Sequence, residues 1–469
     1  MTPTEISQLS AEELLRLYRR KALSPVAVAT DILERIDRFE PQIDAFVVID
    51  ADAALARARA SEARWAKGEP EGLLDGVPVT IKDLIDMEGL PTRKGSLTTP
   101  STPAARDAPA VARMREQGAV FIGKTTLPEF GWIGACHSPL TGITRNPWDL
   151  SRTTGGSSGG AAAAALLNLG ALHLGTDGAG SIRIPAAFTG VFGIKPSYGR
   201  VPAYPASAFT VLAHQGPLTR TVGDAALMLS VIGAPDVRDT TAWNTPAPDY
   251  RIGLDGGVRG LRIAWSPRLG YVTEVDADVE ASAWKAAERF ADLGAVVEEA
   301  DPGFADPTDI LRTIWYAVSS TIVDAVPTAA RETMDPGFLR IAEEGRGVSL
   351  GDYLAAQTRR VELAQTMIAF HERYDLLLTP QMPVPAIEAG VVTPSDGRFG
   401  TEWMGWSPYT YPFNLTQQPA ASVPCGFSGS GLPVALQIVG PPRRDDLVLR
   451  AARACESMCP FATLTAPRR

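Results

Sequence analysis

Apolar positions along this chain recur with two spacings, and the switches between them give a first map of the fold. Short apolar runs stand at residues 77–81, 119–122, 171–174, 261–265, 295–299, 376–378 and 434–439. Their length and β-branched content predict buried strands. Apolar residues every three to four positions mark residues 108–117, 276–293, 354–374 and 445–455, a period that predicts helices with one face in a core. Strand, helix and strand follow one another at 77–122 and again at 261–299, the succession that builds parallel sheet. An α/β fold is therefore expected from the pattern alone.

The flanks extend the map. Residues 1–68 read as helices, with Ser10 and Glu13 fitting a capping box and Ser24-Pro25 an N-cap with proline at the first helical position. Residues 303–375 are mostly helical in period, with Trp315 and Tyr316 in an apolar run, and residues 376–469 return to the sheet. No internal repeat appears.

Two glycine-rich interruptions change the picture from fold to chemistry. Residues 155–160 read GGSSGG, and four glycines in six positions leave nothing to pack, so a tight loop is expected. A helix at 161–167 and the strand at 171–174 separate it from a second expected loop at 175–180, GTDGAG, which is followed by Ser181. Glycines around a serine let a carbonyl approach the backbone, and successive N–H groups there form an oxyanion hole or anion nest.

Composition narrows the function classes. The 469 residues are 45% hydrophobic, enough for a large core, and length alone would suggest two or three domains. The formal net charge is −9 with Lys and Arg scattered, which argues against a nucleic-acid partner. The four cysteines, Cys136, Cys425, Cys455 and Cys459, are too dispersed for a disulfide framework. The four histidines show no zinc-ligand spacing with them, and Cys455 and Cys459, one helical turn apart, read as packing. No apolar run approaches the roughly 18 residues of a membrane span, and the N-terminus lacks the apolar core of a signal peptide. A cytoplasmic protein without metal is the expectation.

The glycine-rich stretch resembles the amidase signature family of serine amidohydrolases, and the match runs from about residue 60 to 225. Carried over by motif, the resemblance implies that Ser181 in GAGSIR is the nucleophile, Ser157 a bridging serine preceded by a cis peptide, and Lys82 in GVPVTIKD the base. Other similar pieces are GKTTLPEFG (123–131), TRNPWD (144–149), IPAAFTGVFGIKPSYGRVP (184–202) and GPLTRTVGDAALML (216–229). The implied fold is one amidase domain over residues 1–469: N-terminal helices at 1–68, a signature core at 69–230, a variable helical pocket region at 303–375, and the return to the sheet at 376–469. Its centre is a twisted mixed β-sheet with helices on both faces. Gly178, Ala179 and Gly180 would supply oxyanion N–H groups, with Ser158, Thr176, Asp177 and Arg183 as supports. The family has two glycines before its nucleophile where this chain has Ala179-Gly180, so position 179 is expected to keep a negative φ.

The proposed base carries a physical condition. Taken alone, Lys82 is a charged residue at a strand end and reads as solvated surface. A lysine accepts a proton only when neutral, and near pH 7.4 neutralising one of reference pKa ~10.4 costs about 4 kcal/mol, so the resemblance requires Lys82 to be buried. Among the histidines, His173 reads as part of a buried strand, His371 as helical and His214 as lying in a loop, and only His137 competes as a base. Two decoys share these residue types. GAVFIGKT (118–125) matches the P-loop expression, yet its central residues form the expected strand. Glu129, Lys82 and Cys136 are the residue types of a thiol amidohydrolase, without its order or flanks. Trp132, Cys136, Trp315, Trp403 and Trp406 are candidates for a pocket wall or for plain core.

The expected activity is hydrolysis of a small-molecule amide through an acyl-serine, with no cofactor, no nucleic-acid or membrane partner, and a homodimer as the candidate assembly. The competing expectations are the glutaminase subunit of a tRNA-dependent amidotransferase and a catalytically silent binding protein on the same fold. The segment 131–142 departs from the pattern of such a glutaminase, and the presence of Lys82, Ser157 and Ser181 together argues against silence.

Overall fold

The protein is described by a computed structural model covering residues 6–468. The N-terminal reading that falls on residues 1–5 lies outside these. Eleven strands form one mixed sheet, β1 (Phe46–Ile49), β2 (Pro78–Lys82), β3 (Val120–Thr125), β4 (Leu172–Asp177), β5 (Phe192–Lys195), β6 (His214–Thr219), β7 (Arg262–Trp265), β8 (Val296–Glu299), β9 (Leu376–Pro380), β10 (Ala420–Phe427) and β11 (Pro433–Val439). Their spatial order is β1-β3-β2-β4-β6-β5-β10-β11-β9-β7-β8. Pairing is parallel for β3/β2/β4 and for β9/β7/β8, while the strands between them and β1 pair antiparallel. The two expected strand–helix–strand units are these two parallel sections.

The caps follow the sequence. Ser10 and Glu13 close a capping box on helix Ala11–Arg19, and Ser24 caps Pro25–Ile43 with proline in its first turn. The helical region holds Thr308–Asp324, Pro336–Gly345 and the 24-residue Leu350–Arg373. Among the described residues no helix is long and apolar enough to cross a membrane.

Four expectations need correction. Residues 1–68 are not all helix, because β1 adds at the sheet edge beside β3; four half-covered residues carry too little alternation to announce a strand. The second loop starts at Gly178 and not Gly175, since β6 pairs with residues 173–177 and holds them extended. Strands β5, β6 and β10 are absent from the pattern of apolar runs: Gly193, Gly216-Pro217 and Pro424 interrupt them, and sheet pairing overrides those local signals. His214 therefore begins a strand where a loop was expected.

Candidate active site

Strand β2 ends on Lys82 and the neighbouring parallel strand β4 ends on Asp177, so both deliver side chains to the same edge of the sheet. The loop 155–158 precedes a helix, Gly159–Leu166, made of Gly, Ala and Leu and buried throughout. Its small residues are a packing requirement. A β-carbon on Gly160 would meet Thr126 and the Ala45 carbonyl at 2.4–2.5 Å. The start of this helix is thereby seated against Thr126 and Ala45, beside the ends of β3 and β1, and the peptide Gly156–Ser157 is cis.

Lys82 is fully buried, and its Nζ lies 2.6 Å from Ser157 Oγ, 2.8 Å from Thr176 Oγ1 and 3.1 Å from Ser158 Oγ. No carboxylate pairs with it among the described residues. Burial lowers its pKa to about 7, against smaller opposing effects of Cys136 and Asp177. The three hydroxyls are not equivalent. Ser158 donates its hydroxyl hydrogen to the Thr176 carbonyl (3.0 Å) and accepts from the Thr176 N–H (3.2 Å), so toward Lys82 it acts as an acceptor. Ser157 has no such commitment, and its hydroxyl is free to turn toward a neutral Nζ.

Ser181 follows on the loop after β4 and is 7% exposed. The Ser158 N–H donates to its carbonyl at 3.1 Å. The hydroxyls of Ser157 and Ser181 are not hydrogen-bonded to each other. Asp177 shapes this loop: Oδ1 accepts from the Gly180 N–H (2.7 Å), Oδ2 from the Ile182 N–H (3.2 Å), and Arg183 approaches the two oxygens at 3.0 and 2.9 Å. Burial alone would raise the Asp177 pKa, but Arg183, Lys195 and Asn414 outweigh it and hold the carboxyl well below its usual range. The expected oxyanion set is thereby narrowed, since the Gly180 N–H is committed to Asp177. The N–H groups of Gly178, Ala179 and Ser181 have no partner among the described residues. Ala179 keeps a negative φ, whereas Gly180 lies at φ +130°, where a β-carbon would strike Thr410 at 2.6 Å.

The remaining sequence candidates divide. Trp315 lies against Gly178, where a β-carbon would sit 3.3 Å from its ring; it stacks on Phe209 at 4.0 Å and meets Trp403 edge-on at 5.6 Å. Trp132 accepts at its carbonyl from Trp315 Nε1 (3.2 Å) and stacks on Phe338. Trp406 stacks on Phe188. Cys136 is buried behind the loop, where burial pushes its thiol pKa up, and a β-carbon on Gly159 would lie 2.7 Å from its Sγ. It is a packed thiol and not an exposed wall. His137 sits 4.0 Å from Asp335, and Glu129 accepts from Ser96 and from the Asp335 N–H, so neither joins the Lys82 cluster. Lys124, from the P-loop decoy, is buried in β3.

Sequence reasoning missed Thr410 and Asn414. Thr410 Oγ1 donates to the Ala179 carbonyl at 2.6 Å, and Asn414 bridges Asp177 (2.9 Å) and Arg183 (2.6 Å). Thr410 stands 231 positions from Ala179 along the chain, and no local spacing announces such a contact.

This arrangement of sheet, glycine-rich loops and buried lysine is that of an amidohydrolase with the amidase signature. The chain belongs to the amidase family, whose match covers residues 27–449. It is 37% identical over 468 residues to an acylamidase of Rhodococcus erythropolis, with 98% of each chain covered. It is also 37% identical over 466 residues to a glutamyl-tRNA(Gln) amidotransferase subunit from Myxococcus xanthus (strain DK1622), covering 93% of this chain and 94% of that one. A crystal structure of a bacterial aryl acylamidase of the amidase signature family superposes with a TM-score of 0.90 at 30% identity, covering 96% of both chains.

Proposed function

We propose that the chain, acting as one catalytic domain, hydrolyses a small carboxylic amide with an apolar acyl or aryl part. Ser181 attacks the carbonyl, Ser157 passes the proton to Lys82, and the same path returns it to the leaving amine. Water then takes the place of the serine hydroxyl and releases the acid. The N–H groups of Gly178, Ala179 and Ser181 receive the oxyanion; one such donor is worth roughly 3 kcal/mol in the transition state. The observation that carries this reading is the buried Lys82 amine held 2.6 Å from Ser157 with no carboxylate paired to it among the described residues. The missing Ser157–Ser181 hydrogen bond does not oppose it, because catalytic hydrogen bonds tighten when substrate binds.

The identity to the amidotransferase chain supports a second reading, a glutaminase working with a partner protein. Free glutamine needs charged groups for its ammonium and carboxylate, whereas the side chain against Gly178 is the Trp315 ring, itself packed on Phe209 and Trp403. Amide hydrolysis by the isolated chain is therefore favoured. Release of ammonia or aniline from a panel of aliphatic amides, anilides and glutamine separates the readings. Turnover of anilides and not of glutamine is expected, and turnover of glutamine alone would reverse the choice.

A further inference from the structure

Thr410 lies between the short helices Trp403–Trp406 and Pro412–Leu415 and is fully buried against the Ser181 loop. Its carbonyl accepts from Arg183 Nη1 at 2.8 Å. Its hydroxyl has two carbonyls in reach, Ala179 at 2.6 Å and Ser407 at 2.9 Å, and one hydrogen to give. The Ser407 carbonyl already accepts from the Thr410 N–H at 3.2 Å, whereas the carbonyl of the buried Ala179 has no other donor among the described residues. The hydrogen therefore belongs to Ala179, which is the shorter contact and would otherwise leave a buried acceptor unpaired.

This contact completes a clamp. The peptide joining Ala179 to Gly180 is held at its oxygen by Thr410 and at its hydrogen by Asp177 Oδ1, at 2.7 Å. A peptide unit is planar, so two fixed ends set its orientation. The peptides on either side of it carry the N–H groups of Ala179 and Ser181, which have no partner among the described residues. Gly180, at φ +130°, imposes no conformation of its own, and the loop takes its shape from contacts outside it. We propose that Thr410 is a positioning residue for the Ser181 reaction: its hydroxyl fixes the oxygen end of the Ala179–Gly180 peptide and so holds the flanking N–H groups of Ala179 and Ser181 in the directions that receive the oxyanion. The inference rests on the reading of Ser181 as nucleophile and of these N–H groups as its oxyanion donors. Asp177 alone secures the hydrogen end and leaves the oxygen end free to swing.

The test is saturation labelling of the full-length chain by a fluorophosphonate, with the rate at saturating probe and the half-saturating concentration measured separately. The phosphoryl oxygen takes up charge where the amide oxygen would, so labelling reads the same donors without knowledge of the substrate. Removing one oxyanion donor costs about 10²–10³ in rate, and misaiming two by releasing one end of the clamp should cost about 10–100-fold. Thr410→Val keeps the shape and removes the hydroxyl: the saturating rate per folded chain should fall by that factor, with the half-saturating concentration within about twofold. Thr410→Ser should restore most of the rate. Thr410→Cys, with a weak S–H donor, should give an intermediate loss and reports where Thr410→Val does not fold. A lower melting temperature at an unchanged saturating rate, a change in half-saturation alone, or a loss that Thr410→Ser does not recover overturns the proposal. Ser181→Ala separates the two readings: undiminished labelling there removes the nucleophile and this inference with it, whereas lost labelling there beside a full rate in Thr410→Val removes the role of Thr410 alone.

Discussion

Complete burial lowers the Lys82 pKa to about 7, against the smaller opposing effects of Cys136 and Asp177. The ammonium form cannot accept a proton, so kcat/KM should fall tenfold per unit as pH drops below about 7; a pH–rate profile flat down to pH 5 would contradict this. At residue 179 the negative φ makes the methyl group harmless. Ala179→Gly should leave kcat within about twofold and cost a few tenths of a kcal/mol in thermal stability through added chain entropy. Lys82, Ser157, Ser158 and Thr176 were legible as types within motifs, and the structure adds their order: the commitment of Ser158 to the Thr176 backbone leaves Ser157 as the hydroxyl free to turn toward Lys82. The Asp177 bond to the Gly180 N–H was not legible, since a glycine in sequence does not tell where its amide points.

The element at the centre of the candidate site is the end of β4 with its loop and the helix Arg183–Thr189. Asp177 fastens all three, and Arg183 reaches on to the Thr410 carbonyl, Asn414 and Gln437. Asp177→Ala would leave Arg183 buried without its counter-ion and release the Gly180 and Ile182 N–H groups. A stability loss of roughly 3–5 kcal/mol by denaturant unfolding is expected, with kcat reduced at least tenfold in whatever fraction stays folded. Strands β2, β3, β7 and β9 were legible because they are compact apolar runs flanked by turn residues. Strands β5, β6 and β10 were not, because glycine and proline within them are compensated by neighbours that lie far away in sequence.

Across the whole molecule, the helical region and the sheet meet at Trp315, which brings helix Thr308–Asp324 onto Gly178. Trp315→Ala should raise KM for an anilide several-fold more than it lowers kcat, and cost about 3 kcal/mol through the cavity it leaves. That junction was legible only as an aromatic in an apolar run, since the partners Phe209 and Trp403 lie in segments with no shared pattern. The central claim is that Ser181 is the nucleophile served by Ser157 and Lys82. Its most direct measurement is mass spectrometry of the chain after fluorophosphonate treatment. One adduct on Ser181 is expected, absent in Ser181→Ala and strongly slowed in both Ser157→Ala and Lys82→Ala. An adduct on another residue, or full labelling of Ser181→Ala, would contradict the account.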